Sequence, residues 1–174
     1  MTENVVIIRP QRQKVITRRH PWVFSGAIDR VDGSPADGDI VTLRTASGEF
    51  LARGYWNGQS SIRVRLLTWD EAEYIDEAFW RRQFERAIRA RAVENRLNAH
   101  GVPNAYRIVN AESDGVPGLV VDRYGDWLVL QALTLGIAVR KGMLVNLLDE
   151  LLQPAGIYER SDVDIRAKEG LSPE

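Results

Sequence analysis

The stretch RRHPWVFSGAI, residues 18–28, places cations, aromatic side chains and a glycine side by side. Pro21 ends any preceding helix and restrains the residue before it, whereas Gly26 allows a turn or a close approach to a ligand. Trp22 and Phe24 are therefore expected beside a basic edge. The alternative is that Trp22, Val23 and Phe24 are the first core strand after a short amphipathic helix, and the sequence leaves both interpretations open.

The residues around this stretch are locally positive. Between Val5 and Ile28 the chain carries five cations, one histidine and no acid. Phosphate backbones attract such a surface, so the segment is a candidate RNA contact. Its candidate residues are Arg9, Arg12, Arg18, Arg19, His20 and Trp22.

Charge is divided unevenly along the 174 residues. Residues 1–66 carry ten Lys/Arg and six Asp/Glu, whereas residues 67–174 carry thirteen and eighteen. The N-terminal part is therefore favoured as the contact for a polyanion. An apolar content of 44% suits one medium or two small globular domains, and no membrane segment is predicted.

Compartment and metal content follow from what the sequence lacks. The N-terminus has no signal-peptide pattern and the chain has no cysteine, so a cytoplasmic protein without disulfides or thiolate metal sites is expected. His20 and His100 lie far apart and have no partners at metal-ligand spacing. We therefore predict no metal site.

Residues 1–70 have the pattern of a small β-barrel. Short apolar stretches alternate with turn sequences such as DGSP at residues 32–35 and NG at residues 57–58. The predicted strands are residues 5–8, 22–28, 40–43, 50–56 and 62–67.

Two of these strands carry a second set of candidates. In residues 62–66 apolar side chains alternate with Arg63 and Arg65, so one face is expected in the core and the other is expected to show both guanidinium groups to solvent. Arg53 and Tyr55 share a face of the preceding strand. These four residues are candidates for a second RNA-contacting patch, although a solvated barrel exterior has the same pattern and is the interpretation we favour.

A long helix is predicted next, over residues 76–100, within a linking segment of residues 71–103. Its apolar residues follow one stripe, Asp76 is a plausible N-cap, and Gly101 and Pro103 provide a stop. Arginines recur along one face, but nearby glutamates can pair with them at helical spacing, so a solvated face is favoured.

Residues 104–174 are predicted to form a small α+β domain. Strands are expected at residues 106–109, 119–122 and 127–133, a helix at 139–152, and two closing strands at 157–159 and 163–165. Within it, the sequence ESDGVPG at residues 112–118 is interpreted as a structural turn rather than a carboxylate site. A hydrolase site built from Ser113, Asp114 and His100 is remote because no nucleophile elbow surrounds the serine.

Three blocks of sequence resemble one known family. RHPWVFSG at residues 19–26 is similar to the opening of the PUA domain of the S-adenosylmethionine-dependent large-subunit rRNA cytosine-C5 methyltransferases. AESDGVPGLVVDRYG at residues 111–125 resembles the central domain of that family, and IYERSDV at 157–163 with RAKEG at 166–170 resembles its end. The blocks occur in the family's order and extend through the chain.

The resemblance implies an α+β fold in which a PUA-like barrel, a linking helix and a central α+β domain precede a Rossmann-like methyltransferase domain that is absent here. The chain has neither a cysteine nucleophile nor a Gly-x-Gly-x-x-Gly loop for S-adenosylmethionine. It is thus expected to be non-catalytic alone and to hold no cofactor, with S-adenosylmethionine implied only for full-length members.

The function implied is RNA binding and substrate positioning for a 23S rRNA methyltransferase. Its implied partners are 23S rRNA or a ribosomal precursor and the missing C-terminal domain, and a homodimer is possible. The alternative is a dimerisation or domain-packing scaffold with little RNA affinity. A large exposed apolar patch on the second half of the chain would favour that alternative.

Overall fold

A computed structural model of the chain describes residues 3–97, 104–162 and 164–172, and of residues 93–97 it describes the backbone alone. The first part is a six-stranded sheet with one short helix, α1 (Gln13–Thr17), between its first two strands. The strands are β1 (Val5–Ile8), β2 (Trp22–Phe24), β3 (Ile28–Asp32), β4 (Ile40–Arg44), β5 (Phe50–Trp56) and β6 (Ile62–Thr68).

The strand order β2-β6-β5-β4-β1-β3 makes the sheet curl into a half-barrel. Its two edge strands, β2 and β3, are joined only by the 3-10 turn Ser25–Ala27, and so short a link keeps both edges close together. β1 runs parallel to β4, and the other pairs are antiparallel. The predicted barrel is confirmed, except that residues 22–28 comprise β2, the 3-10 turn and the first residue of β3 rather than one strand.

Apolar side chains of the strands and of α1 fill the inside of the half-barrel. Ile16 of α1 is buried and closes the core, whereas its neighbour Val15 faces solvent. The cluster consists of Val6, Ile8, Ile16, Val23, Val41, Leu43, Ala52, Val64 and Leu66.

The long helix α2 (Glu77–Leu97) follows the first sheet. The Phe79 backbone N–H donates to the Asp76 carboxylate at 2.8 Å, which confirms Asp76 as the N-cap. The predicted end of this helix, residues 98–103, lies outside the described residues.

A four-stranded sheet with the order β10-β9-β8-β7 completes the fold. The helices pack on one of its faces, where Phe79, Trp80 and Phe84 of α2 meet the inward side chains of the strands. The elements are β7 (Ala105–Asn110), β8 (Leu119–Tyr124), β9 (Trp127–Ala132), α3 (Leu135–Ala138), α4 (Lys141–Leu152) and β10 (Gly156–Glu159).

The α+β class is therefore confirmed, with one error in the second part. We predicted a closing strand at residues 163–165, but a 3-10 helix runs from Asp164 to Glu169, and Val163 lies outside the described residues. The buried Arg166 guanidinium donates to the Ala132 carbonyl at 2.6 Å, so this segment turns polar side chains inward instead of pairing with the sheet. Within the described ranges, no helix combines the length and apolarity needed to cross a membrane.

The two sheets share a junction centred on Tyr55. Its ring belongs to the same apolar cluster as α2 and the second sheet, and a Cβ at Gly136 would overlap it. Its hydroxyl donates to the Pro117 carbonyl at 2.9 Å and is bonded to the Thr134 hydroxyl at 2.8 Å. Burial raises the pKa of this phenol, so it stays protonated as a donor. The boundaries predicted at residues 70/71 and 103/104 stay a prediction.

Replacing Tyr55 with phenylalanine should lower the free energy of unfolding by about 1–3 kcal/mol, because the buried Pro117 carbonyl loses its donor. Tyr158 is exposed and provides the matched control, for which the same substitution should change the value by less than about 0.5 kcal/mol. Urea denaturation of both variants measures the difference. Equal effects would contradict this role for the hydroxyl.

Candidate nucleic-acid interface

A shallow groove of about 280 Å³ lies between α1 and β2. Because side chains alternate along a strand, Val23 points into the core while Trp22 and Phe24 point outward, with 36% and 48% of their surface exposed. Both interpretations of this stretch thus hold in part: Val23 is core and the two aromatic residues are surface. Arg12, Val15 and Gly26 also line the groove.

Exposed arginines lie in the same segment of the chain as the groove, and Arg12 lines it. Arg12 and Arg18 are exposed, Arg9 donates to the Ile28 carbonyl at 3.0 Å, and the Arg19 guanidinium lies 6.0 Å from the centre of the Trp69 ring. In the described part of the chain, none of these four has a carboxylate within ion-pair distance. The groove is therefore a positively charged, partly apolar surface.

The turn before β2 fixes the position of Trp22. Arg19 has a positive φ of 63°, and the Trp22 backbone N–H donates to His20 Nδ1 at 3.1 Å. The two rings meet edge to face with 5.8 Å between their centres. A Cβ at Gly26 would meet no atom within 4 Å, so no close contact requires a glycine there.

The second predicted patch does not form on the surface. The expectation that the outer face of β5 and β6 is exposed to solvent was wrong. Tyr55 and Arg65 are buried, because the outer side of these strands packs against the second half of the chain. Arg53 lies 5.4 Å from the Phe50 ring centre and donates to the backbone of Glu71. Arg63 is half-buried, with a long 3.4 Å hydrogen bond to the Asn57 carbonyl.

Arg65 instead forms a buried ion pair that sequence reasoning missed. Its guanidinium lies 2.8 Å from Glu169, and the two side chains are only 6% and 2% exposed. Glu169 also accepts hydrogen bonds from Ser60 Oγ at 2.9 Å and Asn57 Nδ2 at 3.0 Å. The pair therefore joins β6 to the 3-10 helix near the end of the described chain.

Glu112 connects this ion pair to the groove. It lies 3.4 Å from Arg65 and accepts a hydrogen bond from Trp22 Nε1 at 2.8 Å, while the Arg65 guanidinium lies 5.6 Å from the Trp22 ring centre. Because apolar residues and arginines alternate in β6, Arg65 was expected to require either solvent or a carboxylate partner. Nothing in the local sequence identified partners as distant as Glu112 and Glu169.

The turn predicted at residues 112–118 is present. Gly115 ends the 3-10 helix Ala111–Asp114 with a φ of 73°, and Asp114 accepts hydrogen bonds from Asn110 N–H at 2.6 Å and from Arg91 at 2.8 Å. The Asp114 carboxylate thus stabilises the turn through these hydrogen bonds. His100, the third residue of the remote hydrolase hypothesis, lies outside the described residues.

The residues present do not fit S-adenosylmethionine. β6 enters α2 through residues 69–76, which contain no glycine, and β9 enters α3 through residues 133–134 alone. Neither link forms the glycine-rich loop that such a nucleotide-like cofactor needs. Among the described residues, no group of three or more His, Cys, Asp or Glu is placed to hold a metal ion.

Comparison with known proteins agrees with this architecture. Residues 6–69 match the family of PUA-like domains. The chain is 43% identical over 171 residues to ribosomal RNA large subunit methyltransferase I of Aeromonas hydrophila subsp. hydrophila, and 45% identical over 171 residues to that of Aliivibrio fischeri strain ES114. Each alignment covers 98% of this chain and 42% of the relative, so the chain spans less than half the length of these relatives.

Two solved structures share the fold. A putative SAM-dependent methyltransferase from Streptococcus mutans superposes with a TM-score of 0.75 at 18% identity, over 90% of this chain and 40% of the other. A putative methyltransferase complexed with SAH gives a TM-score of 0.75 at 19% identity, over 92% and 40%. At these identities the likeness concerns the fold alone.

Residues 6–69 therefore match the PUA-like domain family, here joined to a helix and a second α+β unit. Over nearly its whole length the chain is similar to the ribosomal RNA large subunit methyltransferase I proteins. The resemblance predicted from the three sequence blocks is thus confirmed.

Replacing Glu169 with glutamine should cost up to about 3–5 kcal/mol of stability, because the buried Arg65 loses the nearer of its two carboxylates and keeps only Glu112 at 3.4 Å. Glu71 pairs with Arg44 at the surface over the same 2.8 Å, so Glu71→Gln should cost no more than about 1 kcal/mol. Chemical denaturation compares the two. A double change of Arg65 and Glu169 to methionine should be milder than Glu169→Gln, and equal costs for the two glutamine variants would contradict the account.

Proposed function

We propose that this chain binds RNA through the groove between α1 and β2. The observation that carries the proposal is the exposure of Trp22 and Phe24 in a groove lined by Arg12, within a segment whose four arginines have no carboxylate partner among the described residues. Guanidinium groups bind phosphate oxygens, and exposed aromatic rings stack on unpaired bases. The combination suits single-stranded RNA, with the arginines supplying most of the affinity.

The relatives indicate which RNA is meant. Their name refers to ribosomal RNA of the large subunit, and this chain is 43–45% identical to the two described above. We infer that it is the RNA-binding, substrate-positioning portion of a 23S rRNA cytosine-C5 methyltransferase, acting in the cytoplasm on 23S rRNA or a ribosomal precursor. In this proposal residues 1–70 form the RNA-binding domain, residues 71–103 link it, and residues 104–174 set the distance to a catalytic domain.

In this proposal catalysis takes place outside this chain. The described residues lack a fitting loop for S-adenosylmethionine, and the sequence lacks the cysteine expected of the family. We therefore assign methyl transfer and its cofactor to a Rossmann-like domain of the full-length family, with no cofactor and no catalytic residue in this chain.

Replacing both Arg12 and Arg18 with glutamine should weaken RNA binding and reduce the slope of log affinity against log salt by roughly one for each phosphate that the variant no longer binds. Fluorescence anisotropy with a fragment of large-subunit rRNA across a salt series, with duplex DNA as competitor, measures both quantities. Arg30→Gln is the control for removal of charge, because Arg30 is exposed on the same sheet but paired with Asp32 at 3.1 Å.

Phe24→Leu tests the stacking part of the same groove. It should weaken binding to single-stranded RNA while leaving the salt slope unchanged, because no charge is removed. If binding depends on salt but none of these groove variants changes it, the groove is not the RNA-binding surface. Absence of binding at low salt would refute RNA binding by this chain.

A second candidate function, dimerisation, is favoured by one observation. Tyr124, Trp127 and Tyr158 are more than half exposed, and the strand register places all three on the face of the second sheet opposite to the helices. An aromatic face of this kind suits a second copy of the chain. Under this candidate, sedimentation should show a dimer that Trp127→Lys dissociates, and a monomer at high protein concentration would exclude it.

A further inference from the structure

A second cavity, of about 470 Å³, lies between the half-barrel, α2 and the turn after β7. Its volume is within the range of pockets that hold a small ligand. Pro21 lines this cleft, whereas the next residue, Trp22, lines the groove, so the two cavities meet at one turn. The half-barrel contributes Arg19 and Trp69 to the wall, α2 contributes Gln83 and Arg86, and the turn contributes Glu112, Ser113 and Gly115.

Two guanidinium groups of the cleft wall are not ion-paired. The Arg19 guanidinium lies 6.0 Å from the centre of the Trp69 ring, and Arg86 donates to the Asp114 carbonyl at 3.2 Å; in the described ranges neither has a carboxylate within ion-pair distance. Two of the three acids of the wall are engaged, since Glu73 pairs with Arg82 at 2.9 Å and Glu112 with Trp22 and Arg65. The third, Asp70, is exposed and accepts the Ala72 N–H at 2.9 Å. Two guanidinium groups are therefore available for an anion.

The third polar element of the cleft is the Gln83 carboxamide. Gln83 is 8% exposed, and its Oε1 has no hydrogen-bond partner among the described residues, which is costly for a buried acceptor. Gly115 faces it with a φ of 73°, and a Cβ there would lie 3.0 Å from this oxygen and 2.7 Å from Arg86 Nη2. The glycine thus keeps open the space in front of both groups.

We propose that this cleft receives one unpaired nucleotide of RNA, with Arg19 and Arg86 on its phosphate and Gln83 on the edge of its base. The inference rests on the proposed RNA-binding function and adds a second contact to the groove. A carboxamide offers a donor and an acceptor side by side, which matches the polar edge of a nucleobase. A planar guanidinium binds phosphate oxygens in pairs, and Ser113 at the rim adds a hydroxyl.

The test compares variants of α2 in anisotropy titrations with single-stranded oligomers of A, C and U and with duplex RNA of equal length. Arg86→Gln should weaken single-strand binding roughly tenfold and lower the salt slope by about one. Arg89→Gln, an exposed arginine of the same helix that does not line the cleft, is the matched control and should change affinity less than twofold. Gln83→Met should reduce the differences among the three oligomers while leaving the salt slope unchanged. Thermal melting establishes that each variant is folded.

The outcomes separate this proposal from the groove. If the parent chain binds RNA and Arg12→Gln/Arg18→Gln weakens binding, but Arg86→Gln equals Arg89→Gln, the cleft proposal is overturned and the groove stands. Equal affinity of the parent chain for all three oligomers overturns the role of Gln83 on the base. If the parent chain binds no RNA, the proposed function fails and the cleft proposal fails with it.

Discussion

The buried ion pair between Arg65 and Glu169 determines how the half-barrel meets the rest of the chain. Transfer of two charges from water into the interior is unfavourable unless their remaining hydrogen-bonding capacity is met. Here that capacity is met in large part: Ser60 and Asn57 donate to Glu169, and Glu112 provides Arg65 with a second carboxylate, while Arg65 Nε has no hydrogen-bond partner in the described part of the chain. These interactions require β6, the turn after β7 and the 3-10 helix to meet in one arrangement. The apolar cluster around Tyr55 adds buried apolar surface at this junction but is less directional.

The same junction explains why the groove is on the side of α1. Once the outer face of β5 and β6 is covered, Tyr55 and Arg65 have no access to solvent, and the exposed cations that remain in the half-barrel are concentrated before β3. Glu112 then fixes Trp22 through its indole N–H. Hence an interaction that is buried and structural also sets the orientation of an aromatic residue on the surface.

Much of the fold could be predicted from local patterns. The strands of the half-barrel are apolar stretches bounded by glycine turns, and Asp76 is an acid directly before a long amphipathic segment, so each signal lies within a few residues. The errors arose where a distant segment decided the environment. Alternation in residues 62–66 shows that one face is polar, but it does not show that Glu169 covers that face. Residues 163–165 alternate like a strand, yet Arg166 reaches the Ala132 carbonyl, which favours the 3-10 helix. For the groove, the sequence identified the cations. Only the orientation of β2 in the structure shows that Val23 is buried and that its two neighbours are exposed.

The turn formed by Arg19, His20 and Pro21 organises both surfaces that we assign to RNA. Arg19 takes a left-handed conformation that costs about 1–2 kcal/mol in a residue with a side chain, so the surrounding contacts must hold it. His20 provides one such contact by accepting the Trp22 N–H, and Glu112 provides another at the far end of the indole. Because these contacts are made between residues of the chain itself, they set the spacing between groove and cleft. The protein then loses little conformational entropy on binding. When one strand of RNA reaches both surfaces, the second contact therefore contributes nearly all of its binding free energy.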